Sequence, residues 1–230
     1  YAKNAKNFKW KLLQNCPKMI EAVLEERKTV KKWIKKYHID GIISDNRLGV
    51  FSLKIPSVFI THQLNVMTGS TTWISTKLHQ HIIKKHAECW VPDFEGVPNL
   101  TGKLGHIKKA NFPIKYIGPL SRMQKKELPK QYDLMVILSG PEPQRGLLEA
   151  KLKKEILGFE GKVIFIKGIV EEDQKKQEIG NVTYYNFMNS RQLEQTFNES
   201  ETVLCRSGYT TIMDLAKLHK KAFFIPTPGQ

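Results

Sequence analysis

A chain of 230 residues, 40% of them hydrophobic, is long and apolar enough for one large or two ordinary globular domains, which excludes a disordered polymer. No apolar run approaches the roughly 18 residues that a membrane span needs, and three cysteines (Cys16, Cys89, Cys205) are too few and too scattered for a disulfide framework or a zinc site. A formal net charge of +15 and a pI of about 9.6 point to an anionic partner, a nucleotide or an acidic membrane surface, while the absence of a recognisable base-reading module argues against nucleic acid.

The Lys-rich opening lacks the apolar core of a secretory signal, and Cys89 and Cys205 sit in strand-like apolar runs as buried thiols do. Both features predict a cytoplasmic protein. Residues 7–37 contain a long helix entered near Pro17, a residue suited to a first helical position. Ile20, Val23, Leu24, Val30, Ile34 and Tyr37 make its apolar stripe, and Lys28, Lys31, Lys32, Lys35 and Lys36 cover the other faces. Such a helix packs on a sheet or lies on an acidic membrane.

Asp40-Gly41 ends that helix, and residues 42–44 read as a short strand followed by the polar loop 44–49 and a helical-looking patch. Residues 57–61 are a clear strand, at whose end stand His62, Gln63, Leu64 and Asn65. Polar loops at the ends of successive buried strands are where open α/β sheets bind ligands. His62 is therefore a candidate acid–base residue, or a histidine hydrogen-bonded for structural reasons. Residues 71–86 form a helix with Ile74, Leu78 and Ile82 at four-residue steps. Its His79, His81 and His86 do not make a metal site: 79 and 81 face opposite ways, and 79 and 86 lie roughly 10 Å apart. Strands follow at 88–92 and 115–117.

Residues 123–131 carry Lys, Gln and Pro without an apolar period, the composition of a linker. The reading is thus of two domains, 1–122 and 132–230, joined by 123–131. The second opens with an apolar strand at 134–138 and a loop at 139–146, then a helix at 147–157 and a strand at 163–166. A strand at 182–187 and a helix begun by Asn189/Ser190 lead to the last unit. There, 203–205 is a strand and Arg206-Ser207-Gly208 a tight turn. Ile212, Leu215, Ala216 and Leu218 recur at helical spacing, and 223–225 is a strand stopped by Pro226. The turn opens onto a helix amino terminus, where unpaired N–H groups and the helix dipole favour an anion. Thr211 and Asp214 have the spacing of a capping box, which is a purely structural alternative. Alternating strands and helices in both halves predict an α/β protein with two doubly wound, Rossmann-like parallel sheets facing across a cleft.

Gly118-Pro119-Leu120-Ser121-Arg122, the loop at 139–145, the stretch 186–190, Cys205-Arg206-Ser207-Gly208 and Pro226-Thr227-Pro228 occur in an order that resembles the GT-B glycosyltransferases. The resemblance is to those like the bacterial N-acetylglucosaminyltransferase that forms lipid II. It implies a donor domain for a UDP-sugar, which is a substrate, with no further cofactor. By that resemblance Arg122 approaches the donor phosphates, Ser139 and Gly140 belong to the first donor-domain loop, and Phe187 and Met188 contact the uracil ring. Arg206, Ser207, Gly208 and Tyr209 form the diphosphate turn and helix start, and Asp214 takes the place of a ribose-binding glutamate. Gly229 and Gln230 lie near the sugar. Pro141 and Pro143 replace the family's more Gly-rich run.

The sequence holds no Asp-x-Asp motif, which agrees with a metal-independent route in which Arg122 and helix N–H groups neutralise the leaving diphosphate. The family's amino-terminal Gly-rich base loop and its closing helices have no counterpart, so the chain reads as clipped at both ends, with His62 as the remaining base candidate. Three readings follow: a UDP-sugar glycosyltransferase with an unknown, lipid-linked acceptor at an anionic membrane surface; a GT-B sugar-nucleotide epimerase or hydrolase; and a non-catalytic sugar-nucleotide-binding subunit.

Overall fold

A computed structural model describes residues 8–67 and 72–226. The chain divides into two compact units, Tyr1–Gly118 and Pro119–Gln230. The first contains α1 (Phe8–Tyr37), β1 (Ile42–Asp45), β2 (Ser57–Ile60), α2 (Thr72–Ile83), β3 (Glu88–Val91) and β4 (Ile114–Tyr116). Its strands form a parallel sheet in the order β1-β2-β3-β4. Phe59, Leu64, Ile83, Cys89 and Val91 make its buried core.

Two expectations for this unit change. The first helix begins at Phe8 and runs through Pro17 rather than starting there, and no helix forms between β1 and β2. That connection is a series of turns tied down elsewhere. Glu26 of α1 pairs with Arg47 and accepts the Gly49 amide at 3.1 Å, so α1 holds the loop after β1.

The second unit contains β5 (Tyr132–Ile137), α3 (Gln144–Ile156), β6 (Val163–Ile166), β7 (Lys176–Ile179), β8 (Val182–Tyr185), α4 (Ser190–Glu199), β9 (Ser200–Arg206), α5 (Tyr209–Leu218) and β10 (Lys221–Ile225). Its sheet has the order β10-β9-β5-β6-β8-β7, parallel except for the antiparallel β7–β8 pair. β7 is a strand that the sequence reading misses, because its Lys-Gln-Glu-Ile is exposed throughout and has no apolar pattern.

Strand side chains alternate between two cores, as a period of two requires. Met135, Ile164, Ile166, Val203 and Cys205 face Phe197 of α4 and Leu215 and Leu218 of α5. Val136, Val163, Phe165 and Val182 face Leu152 and Ile156 of α3. A sheet covered on both faces explains why its inner strands read as continuous apolar runs. Each fully buried side chain of this size contributes about 1.5–3 kcal/mol. The protein is therefore α/β, with two parallel-rich sheets.

Residues 119–131 pack on the second unit. Met123 is buried in its core, the Gln124 amide donates to Glu194 Oε2 at 2.9 Å, and the Lys126 amide donates to Asn198 Oδ1 at 2.9 Å. A linker composition concealed this attachment because backbone amides and polar side chains such as Lys130 and Gln131, rather than a run of apolar residues, join Met123 in making it.

Candidate functional site

Chain order places the switch point of the second sheet. From β5 the chain moves outward through β6 to β8, then returns to the other side of β5 for β9 and β10. Ligands bind open α/β sheets at the carboxyl ends of the two strands where this reversal occurs. Here those strands are β5 and β9. Their following loops carry Ser139-Gly140 and Arg206-Ser207-Gly208.

The two loops touch. Arg206, 8% exposed, donates from Nη1 to the Ser139 carbonyl at 3.1 Å. Gly140 has φ +103°, and a Cβ there would stand 2.4 Å from Arg206 Nη1. Glycine meets both demands, the positive φ and the close approach. Gly168, after β6, is comparable: with φ +71°, its Cβ would lie 2.2 Å from the Leu138 carbonyl. Arg206 thus belongs to the loop's scaffold, while Ser207 and Gly208 are exposed at the surface.

Gly208 is the N-cap of α5 in extended geometry, with no side-chain capping hydrogen bond. The capping-box expectation for Thr211 and Asp214 fails, because α5 starts at Tyr209 and places Asp214 in its second turn. Asp214 Oδ1 instead accepts from Ser121 Oγ at 2.6 Å, and Ser121 Oγ accepts from the Met123 amide at 3.0 Å. Burial raises the Asp214 carboxyl above its usual range, against the Ser121 hydrogen bond and the Arg122 charge, which lower it. Arg122 is exposed beside this group.

The β5–α3 loop is built differently. Glu142 Oε2 accepts the Gly146 amide at 3.0 Å, so a carboxylate of the protein sits at the α3 amino terminus. Glu142 Oε1 also takes Arg145 Nε at 2.6 Å. Arg145, 7% exposed, reaches Glu149 Oε2 at 2.6 Å and the Lys167 carbonyl at 3.0 Å. Pro141 and Pro143 frame this cage. The sequence reading missed it, although Glu142, Arg145 and Glu149 stand at ion-pairing helical spacings.

At the end of β8, Asn186 is buried and saturated. Its Oδ1 accepts from the Lys175 and Phe187 amides at 2.8 and 3.0 Å, and its Nδ2 donates to the Asp173 carbonyl at 2.9 Å and to Glu171 Oε2 at 3.1 Å. Gln174 Nε2 donates to the Phe187 carbonyl at 2.7 Å. Met188 packs on the core and accepts from Thr196 Oγ1 at 3.5 Å. Phe187 and Met188 are thus held by a hydrogen-bonded excursion from residues 171–175, just before α4. That helix has the expected Asn189 N-cap, completed as a capping box by Gln192. Gly229 and Gln230 lie outside the described residues.

His62 belongs to the first unit, at the end of β2, and is partly buried. Burial lowers its imidazole pKa, and the Asp45 carboxylate at the end of β1 acts in the opposite direction. His79 and His86 are packed against Phe59 with ring centroids at 5.9 and 4.9 Å, and burial lowers both pKa values. They are core histidines. Among the described residues no group of three His, Cys, Asp or Glu side chains converges to hold a metal. Cys89 and Cys205 are buried free thiols whose pKa values burial pushes up to about 12 and about 11. Among the described residues no helix is long and apolar enough to cross a membrane.

No curated protein matches the chain in sequence. Residues 140–230 match the family model of the glycosyltransferase family 28 C-terminal domain, a range that starts at Gly140 inside the loop after β5 and takes in the β8 end, the Arg206–Gly208 turn and α5. Ser121 and Arg122 precede the matched residues. The match supports a member of the GT-B glycosyltransferase superfamily, with glycosyltransferase activity in general.

Proposed function

We infer that the protein transfers a hexosyl or N-acetylhexosaminyl group from a UDP-sugar to an acceptor hydroxyl, without a metal ion. The observation that carries this reading is the α5 amino terminus. It lies at the sheet's switch point, inside the family match, with an exposed Ser207-Gly208 turn and no side-chain cap. Its first N–H groups and dipole suit the donor diphosphate, and Arg122 adds a full positive charge.

Asp214 has the right chemistry for ribose hydroxyls, and Phe187 and Met188 offer apolar surface for the uracil. The bond from the anomeric carbon to the diphosphate oxygen breaks, and the departing UDP carries the electron pair. The acceptor oxygen forms the new bond and gives up its proton. Charge builds on the diphosphate as the bond breaks, so donors aimed there act mainly in the transition state. His62 is the proton acceptor in this reading. Desolvation, the larger influence on it, favours the neutral imidazole that a base requires.

UDP should raise the melting temperature of the protein, and Arg122→Ala or Asp214→Ala should abolish most of that shift. A parent protein that shows no shift at millimolar UDP would sink the donor reading. The basic charge further suits a lipid-linked acceptor met at the cytoplasmic face of an anionic membrane. Co-flotation with phosphatidylserine vesicles at low salt tests that placement, and a protein left at the bottom of the gradient refutes it.

A further inference from the structure

We propose that Ser121 is the positioning residue for Asp214. It sets the carboxylate to accept hydroxyl groups and ties the backbone at 120–123 to occupancy of that carboxylate. The inference rests on the donor reading above and adds a residue that precedes the family match.

A serine hydroxyl has one proton to give. The Met123 amide donates into Ser121 Oγ at 3.0 Å, so that oxygen is already an acceptor. Its single proton then goes to Asp214 Oδ1, 2.6 Å away. The relay has one direction: amide, hydroxyl, carboxylate. It stabilises the charged carboxylate that half-burial in α5 opposes, and Arg122 is the charged neighbour that assists it.

Asp214 Oδ2 has no hydrogen-bond partner among the described residues, and Oδ1 keeps a second lone pair. What remains available is acceptor capacity only. Such a group binds a hydroxyl pair, as on a ribose, and repels an anion. Two further contacts make the segment respond as a unit: the Leu120 amide donates to Met213 Sδ at 3.4 Å, one residue before Asp214, and Met123 is buried in the core. A ligand that draws on Oδ1 therefore acts on Ser121, and through it on the amides of 120–123, directly after Gly118.

The test compares UDP with 2′,3′-dideoxyuridine diphosphate by calorimetry in the parent, S121A and S121T proteins. S121A should bind UDP about tenfold more weakly, the scale of one hydrogen bond to a charged group. It should bind the dideoxy probe unchanged, and S121T should restore UDP binding.

The pH profile is the readout that a merely structural role would not move. As pH falls, Asp214 takes up a proton and the advantage of UDP over the dideoxy probe disappears. Without the Ser121 donor the carboxyl is more basic, so in S121A the advantage disappears at a higher pH. In the parent, UDP should also change amide exchange at 120–123, and the dideoxy probe should not. A parent that binds UDP, with an S121A variant matching it in affinity and pH profile, overturns the positioning role and leaves the donor reading standing. A parent that does not bind UDP overturns the donor reading itself. Should S121A fail to fold, the parent's amide-exchange contrast decides: equal responses to both probes overturn the proposal.

Discussion

The amino termini of α3 and α5 follow neighbouring strands of one sheet, yet they are finished in opposite ways. At α3 the protein supplies its own anion: Glu142 accepts the Gly146 amide and is pinned by Arg145, which Glu149 and the Lys167 carbonyl also hold. At α5 the cap is Gly208, with no side-chain capping bond and an exposed turn before it. Both ends carry the same helix dipole and open with amides that no preceding helical turn can pair. The α3 end gains stability from its carboxylate and loses affinity for any external anion. The α5 end keeps that affinity and forgoes the cap. Two adjacent loops of similar origin are thereby divided into a structural one and one suited to a ligand.

The sharpest way to break the contrast is to make α5 resemble α3. Gly208→Asp would place a carboxylate at the N-cap, where it accepts from the first-turn amides. It should weaken UDP binding by about 100-fold, as an anion is excluded from its own site, while raising stability by a few tenths of a kcal/mol. Titration calorimetry and urea denaturation measure the two effects. A Gly208→Asp protein that keeps its UDP affinity would show that the diphosphate does not use α5.

The reverse change is smaller. Glu142→Ala removes the α3 anion and one of the two carboxylates on a buried arginine, and should cost about 2 kcal/mol of stability. It should leave UDP affinity within twofold in calorimetry. A larger loss of affinity would mean that the cage belongs to the donor site. The least effect is expected at α4, whose amino terminus is closed by a neutral side chain. Asn189→Ala should cost about 1 kcal/mol by urea denaturation, with nucleotide binding intact.

Much of the fold is legible in the sequence because its signals are local. The strand at Val163–Ile166 has the bounds that its apolar run indicates, and Asn189 caps α4 as its residue type and position suggest. Elsewhere a local signal points the wrong way. Thr211 and Asp214 have capping-box spacing, but α5 begins two residues before Thr211, and the partner of Asp214 is Ser121, 93 positions earlier in the chain. Pro17 looks like a helix start and lies inside α1. Residues 123–131 have the composition of a linker and are fastened through backbone amides to α4.

What the sequence by itself determined is the succession of strands and helices, the double-sided burial of the inner strands, and the glycine-bearing turn before α5. These follow from side-chain periodicity and backbone sterics, which act over a few residues. Tertiary structure alone decided the strand order that puts β9 beside β5. It also decided the switch point that follows from that order, and the pairing of Arg206 with Ser139 and of Ser121 with Asp214. Those depend on which distant segments share a core, and a contact between residues 67 or 93 positions apart leaves no period in the chain to read.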